Sequence, residues 1–415
     1  MPKLNIESAF QKLLAYCQAN DWAGHDPYDA LNSRLFAALP LLNRRLPRLV
    51  LTQAVKRSPL NLRGLLLTPR TQNPKALALF LSALLKVSRD ALTPPAGIVE
   101  HLIERLIALR SKGFNHWCWG YSFPWQTRTV VVPVGAPNLV CTVFVADALL
   151  DMYEHSLSPR YLFMAVSAAE YLLRELYWEE GSTRAGFSYP LPSVRNQVHN
   201  ANFLAAALLC RLYKHTHDET LLEPALRVAR YSAGRQEADG SWKYGEGASQ
   251  QWIDNFHTGY NLCALRSIGD SLQTEEFEPG VKRGFDFYRT HFLLPDGKVR
   301  YFHNRTYPID IHCVAQSILT LLAFEDLAPQ NTSMAHSVLG WAMDHMWDER
   351  GFFYYRVNRF QTIRTSYMRW SQAWMLLAMA ALLARTNKNK PHSRTPVAEP
   401  VTVADRIPAI STLHP

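Results

Sequence analysis

The sequence predicts an all-α fold, an (α/α)6 toroid of six helical hairpins with short β pieces in the loops. Three observations support this prediction. A glycine–aromatic motif recurs along the chain, buried and amphipathic helical segments alternate between its copies, and sustained βαβ alternation is absent. The absence of that alternation excludes doubly wound sheets and TIM barrels.

The recurring motif is a glycine followed by aromatic residues. Its copies are GFNHWCWGYSFPW from Gly113, GFSYP from Gly186, GSWKYG from Gly240, GKVRYF from Gly297 and GFFYYR from Gly351. The last four glycines are separated by 54, 57 and 54 residues, and the first gap is 73 residues. Such regular spacing is typical of a repeat architecture.

Two kinds of helix are expected between the motifs. Segments that are apolar on nearly all sides predict inner helices, at 137–156, 199–214, 256–270, 310–326 and 367–386. Segments that are apolar on one face only predict outer helices, at 96–112, 160–178, 220–236, 276–292 and 332–347.

The ends of the chain complete the ring. Residues 5–20 supply a sixth outer helix and residues 75–90 a sixth inner one, so the last helix is expected to close the ring beside the first. Residues 1–386 are expected to form one domain. Within it, segment 21–74 is rich in Pro and Asn and lacks the period of a long helix, which indicates a structured excursion over one face. Residues 387–415 are expected to be a disordered tail.

Composition limits the functional classes. The chain has 415 residues, of which 48% are hydrophobic and 19% charged, as in a globular protein. The net charge of +9 fits an acidic ligand, but no basic run interleaved with aromatic residues suggests nucleic acid. The longest apolar run has twelve residues, whereas a membrane span needs roughly 18.

The sequence also indicates a cellular location. No signal peptide is visible, and six cysteines form no CxxC or other short-spaced set. Free thiols in a reducing compartment, and hence a cytoplasmic location, are expected.

In a toroid each motif leads into the start of an inner helix, and all inner helices start at one end of the ring, here called the mouth. Their free N–H groups favour anions there. Aromatic faces stack on sugar rings while amides and acids bind hydroxyls, so a carbohydrate ligand is expected. The alternative is that the aromatic residues simply plug the ring. The candidate substrate-binding residues are Trp119, Arg128, Asn202, Trp242, Trp252, His312, Gln316, Tyr355, Arg369, Trp370 and Gln372.

Two chemistries remain open. Asp254, Asp310 and Glu246 could supply the carboxylate pair of a glycoside hydrolase, although both aspartates could instead be helix N-caps.

Histidine chemistry is the second possibility. His199, His257 or His312, with Tyr260, could abstract the C5 proton of a uronic acid, as in a lyase or an epimerase. Arg128 and Arg369 could neutralise its carboxylate. His257 is favoured because Asp254 precedes it by three residues, on the same helical face. No spacing typical of metal ligands or of nucleotide binding occurs, so no metal and no cofactor are expected.

Several strings resemble a family of proteins encoded in bacterial exopolysaccharide gene clusters, which belongs to the six-hairpin glycosidase-like superfamily. They are SPLNLRGLLLTPRTQNPKALALFLSA, QVHNANFLAAALL, DGSWKYGEGASQQWIDNFHTGYNL, YPIDIHCVAQSIL and YMRWSQAWML. The resemblance implies a cytoplasmic role in exopolysaccharide biosynthesis or modification and assigns no catalytic residue. The wider superfamily includes glycoside hydrolases, polysaccharide lyases and uronyl epimerases.

Two further functions are alternatives. The run from Gln236 to Trp242 matches QxxxGxW, which is similar to a motif of triterpene cyclases, but no DxDD, DDxxD or zinc set accompanies it. A helix-end turn held by the tryptophan is the simpler interpretation. The other alternative is a non-catalytic glycan-binding or scaffold subunit, with polysaccharide-synthesis proteins as partners.

Overall fold

The computed structural model describes residues 5–88, 96–181 and 183–388, so most of the expected tail lies outside the described residues. The protein is mainly helical. Its helices are α1 (Ile6–Ala19), α2 (Arg34–Ala37), α3 (Arg45–Arg57), α4 (Pro74–Ser88), α5 (Ile98–Ala108), α6 (Leu139–Ser156), α7 (Pro159–Tyr171), α8 (His199–Thr216), α9 (Glu219–Ala233), α10 (Asn255–Leu272), α11 (Glu278–Phe292), α12 (Ile311–Ala323), α13 (Gln330–Met346) and α14 (Ala373–Lys388).

Six helices form an inner ring. Helices α4, α6, α8, α10, α12 and α14 contact one another in this order, and α14 contacts α4 to close the ring. Each inner helix packs against an outer helix, and α1, the first of the chain, packs against α14, the last. The predicted (α/α)6 toroid is confirmed, including an order that starts outside and finishes inside.

The inner helices form the core. On α4 the side chains of Leu77, Phe80, Leu81 and Leu84 are completely buried. Full burial of each such side chain stabilises the fold by about 1.5–3 kcal/mol. Because both sides of an inner helix are covered, its sequence is apolar nearly all round. In the described part of the chain, no helix has the length and apolar character that crossing a bilayer requires.

Three motif glycines make the same contact with the neighbouring unit. Gly240, Gly297 and Gly351 have φ of +90°, +84° and +95°, a region that favours glycine. A Cβ at these positions would overlap backbone of α11, α13 and α1 respectively. Helix α1 therefore occupies the place of the outer helix that follows α13, which is the geometric basis of ring closure.

Short strands lie between the helices. They are β1 (Ala23–Gly24), β2 (Thr71–Gln72), β3 (Trp125–Gln126), β4 (Val131–Val132), β5 (Tyr177–Glu180), β6 (Arg184–Phe187), β7 (Ile309–Asp310), β8 (Trp347–Asp348), β9 (Phe352–Phe353), β10 (Arg356–Val357) and β11 (Thr362–Ile363). They pair antiparallel as β1–β2, β3–β4, β5–β6, β8–β9 and β7–β10–β11.

A belt of backbone pairs links successive units at the mouth. In each pair, a residue just before an inner helix faces a residue from the turn of the following unit. The pairs are Val198 with Gly245, Asp254 with Phe302, Asp310 with Arg356, and Tyr367 with His25. The last partner belongs to segment 21–74, which thus takes the place of a sixth motif.

The expected excursion contains a helix that periodicity did not predict. Residues Arg45–Arg57 form the 13-residue helix α3. Its Thr52 and Val55 are buried, while Leu46 and Val50 are exposed. The apolar residues therefore lie on two faces, which conceals the single stripe from which a surface helix is normally recognised.

Candidate active site

Side chains from the starts of three inner helices meet at the mouth. The ring of Phe256 on α10 lies 4.6 Å from that of His312 on α12 and 5.6 Å from that of Trp370, measured between centroids. Trp370 lies in a π-helical turn, Met368–Gln372, directly before α14. Such turns are frequent at functional sites. The sequence-distant residues Asp254, Asp310 and Arg369 all belong to this cluster.

Asp254 and His257 form a hydrogen-bonded pair at the start of α10. Asp254 is the N-cap, and its Oδ1 accepts a hydrogen bond from the backbone N–H of His257 at 3.0 Å. Its Oδ2 lies 2.7 Å from His257 Nδ1 and accepts from Trp252 Nε1 at 2.8 Å. The capping alternative is therefore correct for Asp254, and the same carboxylate also orients an imidazole.

The second ring nitrogen of His257 is free to react. In the neutral form of the imidazole, donation from Nδ1–H to the Asp254 carboxylate leaves the lone pair on Nε2. Within the described ranges, Nε2 has no hydrogen-bond partner, and the side chain is 20% exposed, whereas that of Asp254 is 1% exposed. The pair presents one basic nitrogen towards solvent above a buried carboxylate.

Partly exposed aromatic side chains surround this pair. The ring of Tyr244 stacks on Trp252 at 4.4 Å with an interplanar angle of 14°, and lies 4.7 Å from His257. Burial raises the pKa of Tyr244 and of Tyr301 well above the usual value, and the Asp254 carboxylate adds to the shift of both. These phenols stay protonated and can donate to a ligand. The upper layer of the mouth therefore contains partly exposed aromatic rings, the type of side chain on which sugar rings stack.

Below this layer, aromatic residues fill the ring. Trp374 stacks on His312 at 4.6 Å and on Tyr260 at 5.5 Å, and all three are buried. The Tyr260 hydroxyl is 2.6 Å from His312 Nε2. Burial, followed by the charges of Lys75 and Arg369, lowers the pKa of His312 well below the usual value. The imidazole is therefore neutral and accepts from Tyr260. The plug interpretation is correct for this deeper layer.

Lys75, in the first turn of α4, points into the same region. The residue is 3% exposed, and its Nζ lies 4.0 Å from the ring centroid of Phe144 and 5.2 Å from that of Trp374. Among the described residues its ammonium group has neither a hydrogen bond nor an ion pair. Burial, and then repulsion by Arg369, lowers the pKa of Lys75 well below its usual value. An anionic ligand would stabilise its charged form.

Asp310 is fully occupied by structural contacts. It is the N-cap of α12, it accepts from Arg356 Nε and Nη2 at 3.0 and 2.6 Å, and it accepts from Trp370 Nε1 at 2.8 Å. The carboxylate is completely buried. These contacts favour capping and positioning for Asp310, rather than the catalytic role expected from the sequence.

Arg369 is likewise held by a carboxylate that sequence reasoning missed. Its Nε and Nη2 donate to the two oxygens of Asp26 at 2.6 and 2.8 Å. Asp26 belongs to segment 21–74, as does Tyr28, whose ring lies 5.5 Å from Trp370. The excursion therefore builds part of the mouth. Lys75, Asp26 and Tyr28 were missed because they lie outside the repeat motifs.

Two expected catalytic residues contact helix α9 or the turn after it rather than the Asp254–His257 pair. Glu246 is exposed, and its Oε1 accepts from the Tyr231 hydroxyl at 2.7 Å and lies 3.0 Å from Arg235 Nε. His199 Nδ1 is 3.3 Å from the Ser232 hydroxyl, and burial lowers the pKa of this histidine to about 4.

Trp119 and Trp242 close the ends of outer helices. Their Nε1 atoms donate to the carbonyls of Leu106 at 2.8 Å and Ser232 at 3.1 Å, and both rings are buried. The interpretation of QxxxGxW as a helix-end turn held by tryptophan is confirmed. Their contacts are with the protein interior rather than with a ligand surface, contrary to the expected role in substrate binding.

Four other expected binding residues also have internal roles. Asn202 and Gln372 accept hydrogen bonds from backbone N–H groups of β6 and β9, at 3.0 and 2.9 Å. Gln316 donates to Thr320 within α12 at 3.1 Å, and the ring of Tyr355 is completely buried. Arg128 is different, because it is exposed at the rim, 5.3 Å above the ring of Trp252.

The residues at the mouth do not resemble a metal centre. Across the described ranges, no group of three or more His, Cys, Asp and Glu side chains is arranged to hold a metal ion. The chemistry that the geometry can perform is proton transfer by an oriented imidazole, beside cationic groups and stacking surfaces.

No protein-family model matches the chain, and no curated protein matches its sequence. Solved structures are similar in fold. A cellobiose 2-epimerase from Bacillus thermoamylovorans has a TM-score of 0.59 at 13% identity, covering 76% of this chain and 88% of that one. A GH76 α-mannanase from Bacteroides thetaiotaomicron gives 0.56 at 13% identity, covering 76% and 87%. A D-mannose isomerase gives 0.55 at 11% identity, also covering 76% and 87%. At such identities the likeness establishes the (α/α)6 fold alone.

Proposed function

We propose that this protein is a carbohydrate-active enzyme of bacterial exopolysaccharide biosynthesis or modification, which transfers a proton on an acidic glycan by epimerase- or lyase-type chemistry. The observation that supports the proposal most strongly is the Asp254–His257 pair at the mouth. His257 Nε2 is the base that removes the C5 proton of a uronic acid residue. Accepting that proton makes the imidazole a cation, which the Asp254 carboxylate, 2.7 Å from Nδ1, stabilises.

The substrate carboxylate needs a cationic partner, because removal of the C5 proton places further negative charge on it. The sequence suggested Arg128 and Arg369 for this role. Arg369 is already paired with both oxygens of Asp26. Lys75 has no acidic partner in the described part of the chain and lies between aromatic rings at the base of the mouth. Lys75 is therefore the better candidate, with Arg128 at the rim.

The two reaction types differ in the step after proton removal. In epimerisation a proton returns to C5 from the opposite face, and the chain stays intact. In elimination the C4–O4 bond breaks and a C4–C5 double bond forms. In both reactions solvent water supplies the second proton, because Tyr260, which the sequence suggested for this role, is buried in the layer that fills the ring and its hydroxyl is hydrogen-bonded to His312.

Hydrolysis is less well supported by the geometry. A hydrolase needs an acid and a base or nucleophile on two carboxyl groups that flank the bond. Asp310 is engaged by Arg356 and Trp370, and Glu246 lies against α9. The solved structures of similar fold include proteins named epimerase, isomerase and mannanase, so the fold by itself favours neither reaction.

The cellular role rests on the resemblance to exopolysaccharide-cluster proteins. This resemblance implies a cytoplasmic protein with polysaccharide-synthesis proteins as partners. All six cysteines are free, and five are buried, a pattern typical of reducing compartments.

The test is incubation of the host polysaccharide with the protein in heavy water. Deuterium at C5 of an intact chain indicates epimerisation, and absorbance of an unsaturated uronate indicates elimination. His257→Ala should lower the rate by about 100-fold or more, as loss of a general base does. His155→Ala, an exposed histidine at the far end of α6, is the matched control and should keep full activity.

Other products would contradict the proposal. New reducing ends without deuterium or unsaturation would indicate a hydrolase. Glycan binding that persists without any product would favour the scaffold alternative.

A further inference from the structure

Segment 34–67 presents large apolar side chains to solvent. Eight leucine and valine residues of this segment are between 44% and 84% exposed. They are Leu35, Leu39, Leu41, Leu46, Val50, Leu60, Leu65 and Leu67. A monomeric protein rarely exposes so many large apolar residues in one short segment, and such patches mark interaction surfaces. These residues are called the leucine surface below.

The same part of the chain is strongly basic. Residues 34–70 contain eight Lys and Arg residues and no Asp or Glu, which gives a charge of +8, whereas the whole chain has +9. Arg34, Arg44, Arg45 and Arg57 are exposed. None of these four makes an ion pair with the described residues. Their positive charge is therefore available to an external anionic partner.

Helix α3 shows how the two properties combine. Thr52 and Val55 are buried against the protein, whereas Leu46 and Val50 point outwards. Arg57 lies on this outward side at the end of the helix, and Arg45 is exposed at its start. Exposed aliphatic residues flanked by arginine are typical of helices that lie in the interfacial region of a membrane.

The inner side of α3 touches the candidate active site. Lys56 Nζ donates to the Tyr28 hydroxyl at 2.7 Å, and its charge lies 4.0 Å from the ring of Tyr28. Tyr28 in turn contacts Trp370. A partner that binds the outward side of α3 would therefore lie next to the mouth.

We propose that the leucine surface and its four exposed arginines dock the protein on an anionic lipid bilayer. The leucine and valine side chains insert at the boundary between headgroups and acyl chains, and the arginines contact lipid phosphates. Charge complementarity favours this partner, because four exposed arginines without an acidic partner, in a segment that contains no acid, match a uniformly anionic surface. Docking would hold the mouth beside the membrane, where a lipid-linked glycan is accessible, and only this last consequence rests on the proposed function.

The experiment is flotation of the full chain with vesicles. Vesicles of phosphatidylcholine containing phosphatidylglycerol should carry the protein, and vesicles of phosphatidylcholine alone should carry far less. The triple variant Leu41→Ser, Leu46→Ser, Val50→Ser should reduce vesicle binding about tenfold or more, since apolar insertion is lost. The triple variant Arg44→Glu, Arg45→Glu, Arg57→Glu should have a similar effect, and added salt should weaken wild-type binding.

The matched controls substitute exposed apolar and exposed basic residues outside segment 34–67. Leu157→Ser with Phe163→Ser, and Lys112→Glu with Arg195→Glu, should leave vesicle binding unchanged. Because all substituted residues are exposed, unchanged thermal unfolding verifies folding of each variant. Catalytic rate on a soluble glycan serves as a separate measurement, so failure of docking and failure of the proposed function are distinguishable.

Three results would overturn the docking proposal. One is no binding to either vesicle type. The second is binding that the arginine variant abolishes but the serine variant leaves intact, because the leucines would then have no role. The third is a dimer, seen by light scattering, that only the serine variant dissociates, since the leucine surface would then bind a second copy of the chain.

Discussion

At the scale of single residues, Asp254 performs two tasks that are usually separate. One oxygen caps α10, and the other holds the ring of His257. An N-cap has a fixed position relative to the start of its helix. The hydrogen bond from the cap residue therefore also fixes the orientation of the His257 ring. The sequence could suggest this pair, because three residues along a helix start bring the two side chains together. The sequence could not show that Asp310, at the equivalent position of the next unit, forms a buried ion pair with Arg356.

Substitution should separate these two tasks of Asp254. In Asp254→Asn the cap is retained, because asparagine caps about as well as aspartate, but the amide cannot neutralise an imidazolium. We expect the rate to fall about 100-fold. Stability should fall by about 1–3 kcal/mol, because the amide NH2 that replaces Oδ2 cannot accept the hydrogen bond from Trp252 Nε1. Steady-state kinetics measures the rate, and calorimetry measures the stability. An unchanged rate would show that the carboxylate has no part in the chemistry.

The corresponding substitution in the next unit, at Asp310, should act mainly on stability rather than on the catalytic rate. Asp310→Asn removes the buried charge that pairs with Arg356. Loss of one partner of a buried ion pair is strongly destabilising, here by about 3 kcal/mol. Chemical denaturation measures this loss. If Asp310→Asn instead kept its stability and lost only activity, the catalytic role expected from the sequence would be restored.

His199 should make stability depend on pH. Burial lowers its pKa from 6.5 to about 4 in the folded protein, so between these values the unfolded chain binds the extra proton. Stability should be intact above pH 6.5 and fall as the pH decreases towards 4, by about 3 kcal/mol in total. This pH dependence is tested by measuring the free energy of unfolding of the wild type and of His199→Gln between pH 4 and pH 6.5. Parallel curves for the two proteins would contradict the assignment.

At the scale of elements, hydrophobic periodicity predicted the helices of the ring but did not predict the helix within segment 21–74. Inner helices are apolar all round because neighbours cover them on both sides, and this property is visible in the sequence. Helix α3 was not predicted because Leu46 and Val50 are apolar yet exposed. The backbone pairs at the mouth were not predictable either, since they join residues of different units through main-chain atoms that carry no sequence signature.

The motif glycines provide a test of how units are joined. Gly297 has φ +84°, and a Cβ there would overlap the Ser337 carbonyl of α13. We expect Gly297→Ala to lower the free energy of unfolding by roughly 2 kcal/mol or more. Gly340→Ala, inside α13 with no atom within 4 Å of the new Cβ, is the matched control. It should be neutral or stabilising by up to about 1 kcal/mol. Equal effects in denaturant unfolding would contradict this account of the turn.

At the scale of the whole molecule, ring closure explains why the site residues are scattered through the sequence. The mouth collects the starts of inner helices from separate units and adds Asp26 and Tyr28 from the excursion. Sequence reasoning could therefore name Asp254, His257 and Trp370, which follow the motif. It could not name Lys75 or Asp26, because only the closed ring brings them to the same place.

The most direct test is the structure of the protein with an oligosaccharide fragment of the acidic host polysaccharide. A uronate residue should lie at the mouth with its C5 hydrogen facing His257 Nε2, with its ring against Tyr244 or Trp252, and with its carboxylate near Lys75. A glycan bound on the outer face of the ring, with no contact to His257, would contradict the proposal that this mouth is the active site.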